Sequence, residues 1–206
     1  MRTACSGWWK RWKNWTTCPR CSRILTSTHP SWRRPTPDAA PGVKVLGVDP
    51  GTAVLGYGVV ESVPRRAGRL LECGVVRTSS DESLPARLRI IHEAIADLIA
   101  RHQPDTLAIE KAFYGRNVHT TMVLSHARGV ILLAAEQAGL TIGEYAPALI
   151  KKTIVGRGAA LKPQVGYMVQ QLLHLTAAPE PADAADGVAI ALTHLLLAGS
   201  RVPAAR

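Results

Sequence analysis

Cysteine is all but missing from the main part of this 206-residue chain: of four, Cys5, Cys18 and Cys21 fall in the first 42 residues and Cys73 stands alone in the rest. That distribution excludes a disulfide framework and fits a reducing compartment. Long apolar runs are missing too. None reaches the roughly 18–20 residues that a bilayer-spanning helix needs; the longest candidate, 188–199, is interrupted by Thr193 and His194. The N-terminus lacks the apolar stretch of roughly 7–15 residues found in a secretory signal. The expectation is a cytoplasmic protein that does not engage a membrane. Aromatic residues amount to 5%, with a single phenylalanine, Phe113, and all five tryptophans lie before residue 43.

What is present divides the chain in two. Residues 1–42 hold eight Lys and Arg against Asp38 alone, so this segment carries +7 of the total +10 and leaves only +3 for residues 43–206. A net of +10 by itself would point to a polyanionic partner; its distribution leaves the main domain only mildly basic. The first segment also contains a Pro-rich stretch over 30–41 and Cys18-Pro19-Arg20-Cys21, which resembles half of a zinc knuckle but lacks the four ligands of a structural site. Trp8, Trp12 and Trp15 fall at helical spacing, the pattern of a surface-lying helix. With so little periodicity, residues 1–42 are expected to be a disordered extension, or to precede a true start at Val43. Residues 43–199 form the domain and 200–206 a short tail. Apolar residues at 47% and a charged fraction of 19% give the domain enough to build a core.

From residue 43 the pattern is regular. Residues 43–49 are almost continuously apolar and end in Pro-Gly, as expected of a central strand buried on both faces. Residues 54–61 and 70–78 follow as further strands, completing an antiparallel meander. Leu84, Leu88, Ile91, Ile95 and Leu98 then recur with helical period up to His102. Strand 105–110, helix 120–138 closed by Gly139, strand 140–145 and helices 146–155, 162–175 and 182–198 complete the chain. The order predicts an α/β domain: a mixed five-stranded sheet with helices on both faces.

Two strands end in carboxylates. Asp49 closes the first strand ahead of Pro50-Gly51-Thr52, and Glu110 closes the fourth. Ligand sites of open α/β sheets gather at such ends, although Asp-Pro-Gly is equally good turn chemistry. Asp183 and Asp186 stand at i and i+3 on the last helix, on a face continued by Ala189 and Ile190. Acidic residues favour a first helical turn for its free amides and dipole. That explains one aspartate, not two on the core-facing side. Four gathered carboxylates carry a charge of about −4, which is costly unless cations neutralise it. Mg²⁺ suits oxygen ligands, and two such ions roughly 3.5–4 Å apart perform in-line displacement at phosphorus. The chemistry implied is phosphodiester hydrolysis.

These residues resemble a known family, the crossover junction endodeoxyribonucleases or RuvC resolvases of bacteria, which have the ribonuclease H-like fold. The resemblance covers 43–199. It is carried by Leu46-Gly47-Val48-Asp49-Pro50-Gly51 with Gly56-Tyr57-Gly58, by Ala108-Ile109-Glu110-Lys111-Ala112-Phe113, and by Ala127-Arg128-Gly129-Val130. Glu144-Tyr145-Ala146-Pro147, Lys162-Pro163-Gln164-Val165 and Asp183-Ala184-Ala185-Asp186-Gly187 continue it. The resemblance implies that Asp49, Glu110, Asp183 and Asp186 are the catalytic and metal-binding positions. They would hold two Mg²⁺ per subunit, with Mn²⁺ able to substitute. It places Lys151 and Lys162 near the scissile phosphate or junction backbone, where a solvated lysine is the ordinary alternative. It matches Phe113 to an aromatic that stacks on an unpaired base, where a core plug is the alternative. It further implies a homodimer that nicks opposing strands of a four-way (Holliday) junction symmetrically, leaving ligatable 5′-phosphates. Such a dimer works with the RuvA–RuvB branch-migration complex in DNA recombination and repair. Two departures stand out. Ser125-His126 replaces the usual Gly-Gln on the helix that the family uses for dimer contact, and Gly187 inside the last helix costs up to about 1 kcal/mol relative to Ala.

Other readings remain at this level. A related ribonuclease H-like nuclease acting on RNA would use the same carboxylates, and a junction-binding module without cleavage would not need them, since they repel phosphate unless a metal intervenes. Sugar kinases and actin-like proteins share an Asp-x-Gly-Thr hairpin but need two such domains, for which the chain is too short. The stretch 156–162 lacks the Gly-Lys-Ser/Thr of a nucleotide loop. His92, His119, His126, His174 and His194 show no metal-ligand spacing.

Overall fold

The computed structural model describes residues 42–111 and 118–199. The tryptophan-bearing segment with Cys18-Pro19-Arg20-Cys21, Phe113 with its neighbours, and the tail from residue 200 lie outside the described residues.

The elements run β1 (Lys44–Asp49), β2 (Val54–Glu61), β3 (Arg69–Arg77), α1 (Leu84–His102), β4 (Thr106–Glu110), α2 (Val118–Gln137), β5 (Thr141–Tyr145), α3 (Pro147–Val155), α4 (Lys162–Leu173) and α5 (Ala182–Gly199). Each expected element is present, with ends displaced by no more than a turn or a residue or two. The five strands form one sheet in the order β3-β2-β1-β4-β5. β1, β2 and β3 pair antiparallel, while β4 lies parallel to β1 and β5 parallel to β4. Parallel pairing of β1 and β4, with Val48 opposite Ile109, brings the C-terminal residues Asp49 and Glu110 to the same edge.

The period of two along a strand decides which face they reach. Leu46, Val48, Leu107 and Ile109 point into one core with Ile91 and Ile95 of α1 and Ile131 of α2. Val45 and Ala108 point the other way, into a second core with α3, α4 and α5. Asp49 and Glu110 continue the second set, so both carboxylates emerge on the face that carries α5. Among the described residues one helix, α2, is long and apolar enough by length and composition to cross a membrane. His119, Ser125, His126 and Arg128 interrupt its apolar positions, and Ala127, Ile131, Ala134 and Ala135 bury its inner face in the first core.

α5 lies unusually close to the sheet. A methyl group at Gly56 of β2 would fall 1.9 Å from the Asp183 carbonyl oxygen, and one at Gly187 would fall 2.5 Å from the Tyr57 Cα. The missing side chains on both partners are what allow backbone to approach backbone. Gly187, a weak helix former by propensity, is therefore required by packing. The far half of α5 is tied to β5, where Tyr145 Oη and His194 Nδ1 lie 2.8 Å apart. α1 is fastened at its end by Arg101 and His102, which both contact Glu72 of β3.

Gly56→Ala is expected to lower unfolding free energy by about 1–3 kcal/mol through overpacking under α5. Denaturant titration measures this, and unchanged stability would show that α5 is not seated against β2.

Candidate metal centre

Asp49, Asp183 and Asp186 each present a carboxylate oxygen, and these three atoms lie within 4.8 Å of one another. Strand β1 delivers the first and the opening turns of α5 the other two. Glu110 lies outside that tight set but lines the same cavity, together with Asp49, Asp186, Lys151 and Lys162. Its apolar wall is Pro147 and Ile150 of α3, Val165 of α4 and Ile190 of α5. Thus six of the seven expected site residues converge, and the seventh, Phe113, lies outside the described residues.

The electrostatics follow from crowding. Burial, then the carboxylates of Glu110 and Asp186, push the Asp49 carboxyl up to about 7, with Asp183 adding to this and Lys162 opposing it. Burial and Asp186 likewise raise Glu110, against the pull of Lys151 and Lys162. Lys162 Nζ lies 2.8 Å from Asp186 Oδ2 and 3.3 Å from Asp183 Oδ1. Its hydrogen bond to Asp186 holds it more firmly protonated than an ordinary lysine. With Lys162 in place, burial and the neighbouring carboxylates together still leave Asp49 raised. A hard divalent cation fits this all-oxygen set by donor chemistry and spacing.

Two arginines hold the strand ends. Arg87 of α1 donates from Nε (3.1 Å) and Nη2 (2.5 Å) to the Thr52 carbonyl, in the turn that follows Asp49. Arg128 of α2 donates from Nη1 to the Glu110 carbonyl and from Nη2 to Glu144 Oε2 at 2.5 Å. Neither role was visible in the chain: Arg87 carries no local signal, and Arg128 is marked only by its place in the Ala-Arg-Gly block.

Comparison with known proteins gives matches to one family. Residues 45–194 match the family model for crossover junction endodeoxyribonuclease RuvC. A relative of that name from Halorhodospira halophila is 48% identical over 151 residues, covering 73% of this chain and 89% of that protein. One from Parafrankia sp. is 46% identical over 153 residues, covering 74% and 86%. Among solved structures, Thermus thermophilus RuvC superposes with a TM-score of 0.71 at 37% identity, over 77% of this chain and 96% of that one. The same protein in complex with a Holliday junction substrate gives a TM-score of 0.71 at 34% identity, covering 77% and 97%.

The raised Asp49 carries a signed consequence. Its folded value of about 7 exceeds the ordinary 3.8, so its contribution to stability is fully present below that ordinary value and lost as pH rises through about 7. In chelator, Asp49→Asn is therefore expected to raise the melting temperature at about pH 8, by a margin that shrinks as pH falls toward about 4. A melting series over pH checks this, and destabilisation at alkaline pH would contradict the burial and crowding of the Asp49 carboxylate.

Proposed function

This chain belongs to the RuvC family of crossover junction endodeoxyribonucleases, and on that premise we propose that it resolves four-way DNA junctions by phosphodiester hydrolysis at Asp49, Glu110, Asp183 and Asp186. The observation that carries this reading is the convergence of three carboxylate oxygens within 4.8 Å, with Glu110 in the same cavity. Two Mg²⁺ ions per subunit, replaceable by Mn²⁺, would supply the Lewis acidity that activates water and offsets charge on the leaving 3′ oxygen.

The chain's own groups have separable tasks. The four carboxylates hold cationic charge beside the scissile phosphate, which would otherwise be repelled. Lys151 and Lys162, at the same cavity, present ammonium groups to the junction backbone. Pro147, Ile150, Val165 and Ile190 give the cavity an apolar wall beside the carboxylates. Phe113 would stack on an unpaired base at the crossover, a contact generally worth roughly 1–3 kcal/mol. The Thermus thermophilus relative seen with a Holliday junction supports the choice of DNA substrate.

A homodimer would place two such centres on opposing strands for symmetric nicks that leave 5′-phosphates. The outer face of α2 supports pairing: Val118, Met122 and Leu133 are 70%, 58% and 50% exposed. They share a face with Ser125 and Gly129, small residues that permit close approach of a second helix. The RuvA–RuvB complex is the partner this reading assigns, acting in recombination and repair in the cytoplasm. Residues 43–199 would carry the function, with 1–42 an extension and 200–206 a tail.

The test is a nicking assay on a synthetic four-way junction, linear duplex and RNA–DNA hybrid with Mg²⁺. Paired nicks confined to the junction, abolished by Asp49→Asn, are expected. Persistent nicking by that variant would overturn the site. Preference for the hybrid would favour a ribonuclease, and binding without cleavage in Mg²⁺ or Mn²⁺ a passive junction binder.

A further inference from the structure

β4 and β5 are short strands of five residues each, and Glu110 is the last residue of β4. A carboxylate at so short a strand's end needs its backbone fixed if the side chain is to leave in one direction. The peptide unit joining Glu110 to Lys111 is a rigid plane with two hydrogen-bonding groups. Its N–H donates to the Tyr145 carbonyl of β5 at 2.8 Å. Its carbonyl, that of Glu110, accepts from Arg128 Nη1. The plane is thus held from both sides, once by the sheet and once by a helix.

Arg128 is built for this. Its side chain is only 11% exposed. It sits on α2 next to Ala127, which is wholly buried in the first core with Ile131 one turn on, so its origin is fixed by packing. Its second arm reaches Glu144 Oε2 at 2.5 Å. Glu144 lies opposite Ile109 in register, one residue before Tyr145. Alternation turns it away from the face where Tyr145 packs with α5, and toward α2. One guanidinium therefore bridges the C-terminal ends of two neighbouring strands. A planar guanidinium presents its donors in a fixed fork, so both bonds share one orientation, whereas a lysine ammonium turns on a flexible stem and fixes neither direction.

We infer that Arg128 is a positioning residue for the metal centre: by clamping the Glu110 carbonyl to the Glu144 carboxylate, it sets the direction in which the Glu110 side chain enters the carboxylate cavity. Arg128 touches neither substrate nor metal and acts through Glu110. The inference rests on the reading of Glu110 as a metal-binding carboxylate.

The experiment uses the full chain and three variants, Arg128→Lys, Arg128→Gln and Glu144→Gln. Mn²⁺ binding without DNA is followed by calorimetry. The Mg²⁺ concentration giving half-maximal junction nicking, junction affinity in chelator, and melting temperature are also measured. Partners that orient a metal ligand typically contribute 10–100-fold in metal affinity, so Arg128→Lys and Arg128→Gln are expected to weaken Mn²⁺ binding by about 10-fold or more. Nicking should recover as Mg²⁺ is raised, and junction affinity in chelator should be unchanged. Glu144→Gln should act in the same direction but less, because the bond to the Glu110 carbonyl survives. Wild-type Mn²⁺ and Mg²⁺ behaviour retained by the folded Arg128→Lys protein would overturn the inference. So would a loss of nicking in that variant that no Mg²⁺ concentration restores while Mn²⁺ affinity stays intact. If the wild-type chain itself binds no Mn²⁺, the parent reading of the site fails instead.

Discussion

Burial of carboxylates crowded into one cavity, with the repulsion that crowding adds, is the constraint on which the rest of the structure turns. Asp49 is raised to about 7 first by burial and then by its acidic neighbours, so the fold holds these groups together against their own preference. That tension is useful only if a cation is to be bound, because the same burial that penalises a bare carboxylate strengthens its attraction to positive charge. The architecture supplies the opposing force in pieces: a parallel strand pair that aligns Asp49 with Glu110, a helix pressed onto the sheet, Lys162 over Asp183 and Asp186, and arginines behind the strand ends.

The seating of α5 shows how small residues serve chemistry at a distance. Gly56 and Gly187 leave no room for a methyl group between helix and strand. That absence moves Asp183 and Asp186 to within reach of Asp49. A larger side chain at either position would widen the gap and leave three acidic groups unable to share one ligand. Below the sheet, α1 and α2 bury the first core and fix Arg87 and Arg128. The two faces thus differ, one carrying the clustered carboxylates and the other bracing the turns from which they project.

Much of this was legible residue by residue. Period-two and period-3.6 patterns located all five strands and five helices, because those patterns record burial directly. The strand-end aspartate and glutamate and the i, i+3 aspartates stood out because each sits where local geometry fixes its direction. Lys151 and Lys162 were less legible: a lysine on a helix looks the same whether it faces solvent or a cavity. The contacts of Arg87 and Arg128 were invisible, since each donates to a backbone carbonyl, and any residue could have supplied that carbonyl. Gly187 was misleading. Helix propensity marks it as a local cost, and only the Tyr57 backbone beneath it shows why no side chain can stand there.

By itself, the sequence determined the order and type of the elements and which residues could carry acid chemistry, because those properties depend on neighbours a few positions away. Only the tertiary structure decided that Asp49, Asp183 and Asp186 meet within one ligand's reach, that Glu110 and Lys151 share their cavity, and that Arg128 holds Glu110 from behind. Those relations join parts of the chain far apart in number. Their distances are set by how closely helix and sheet backbones can approach, a quantity that no local pattern encodes.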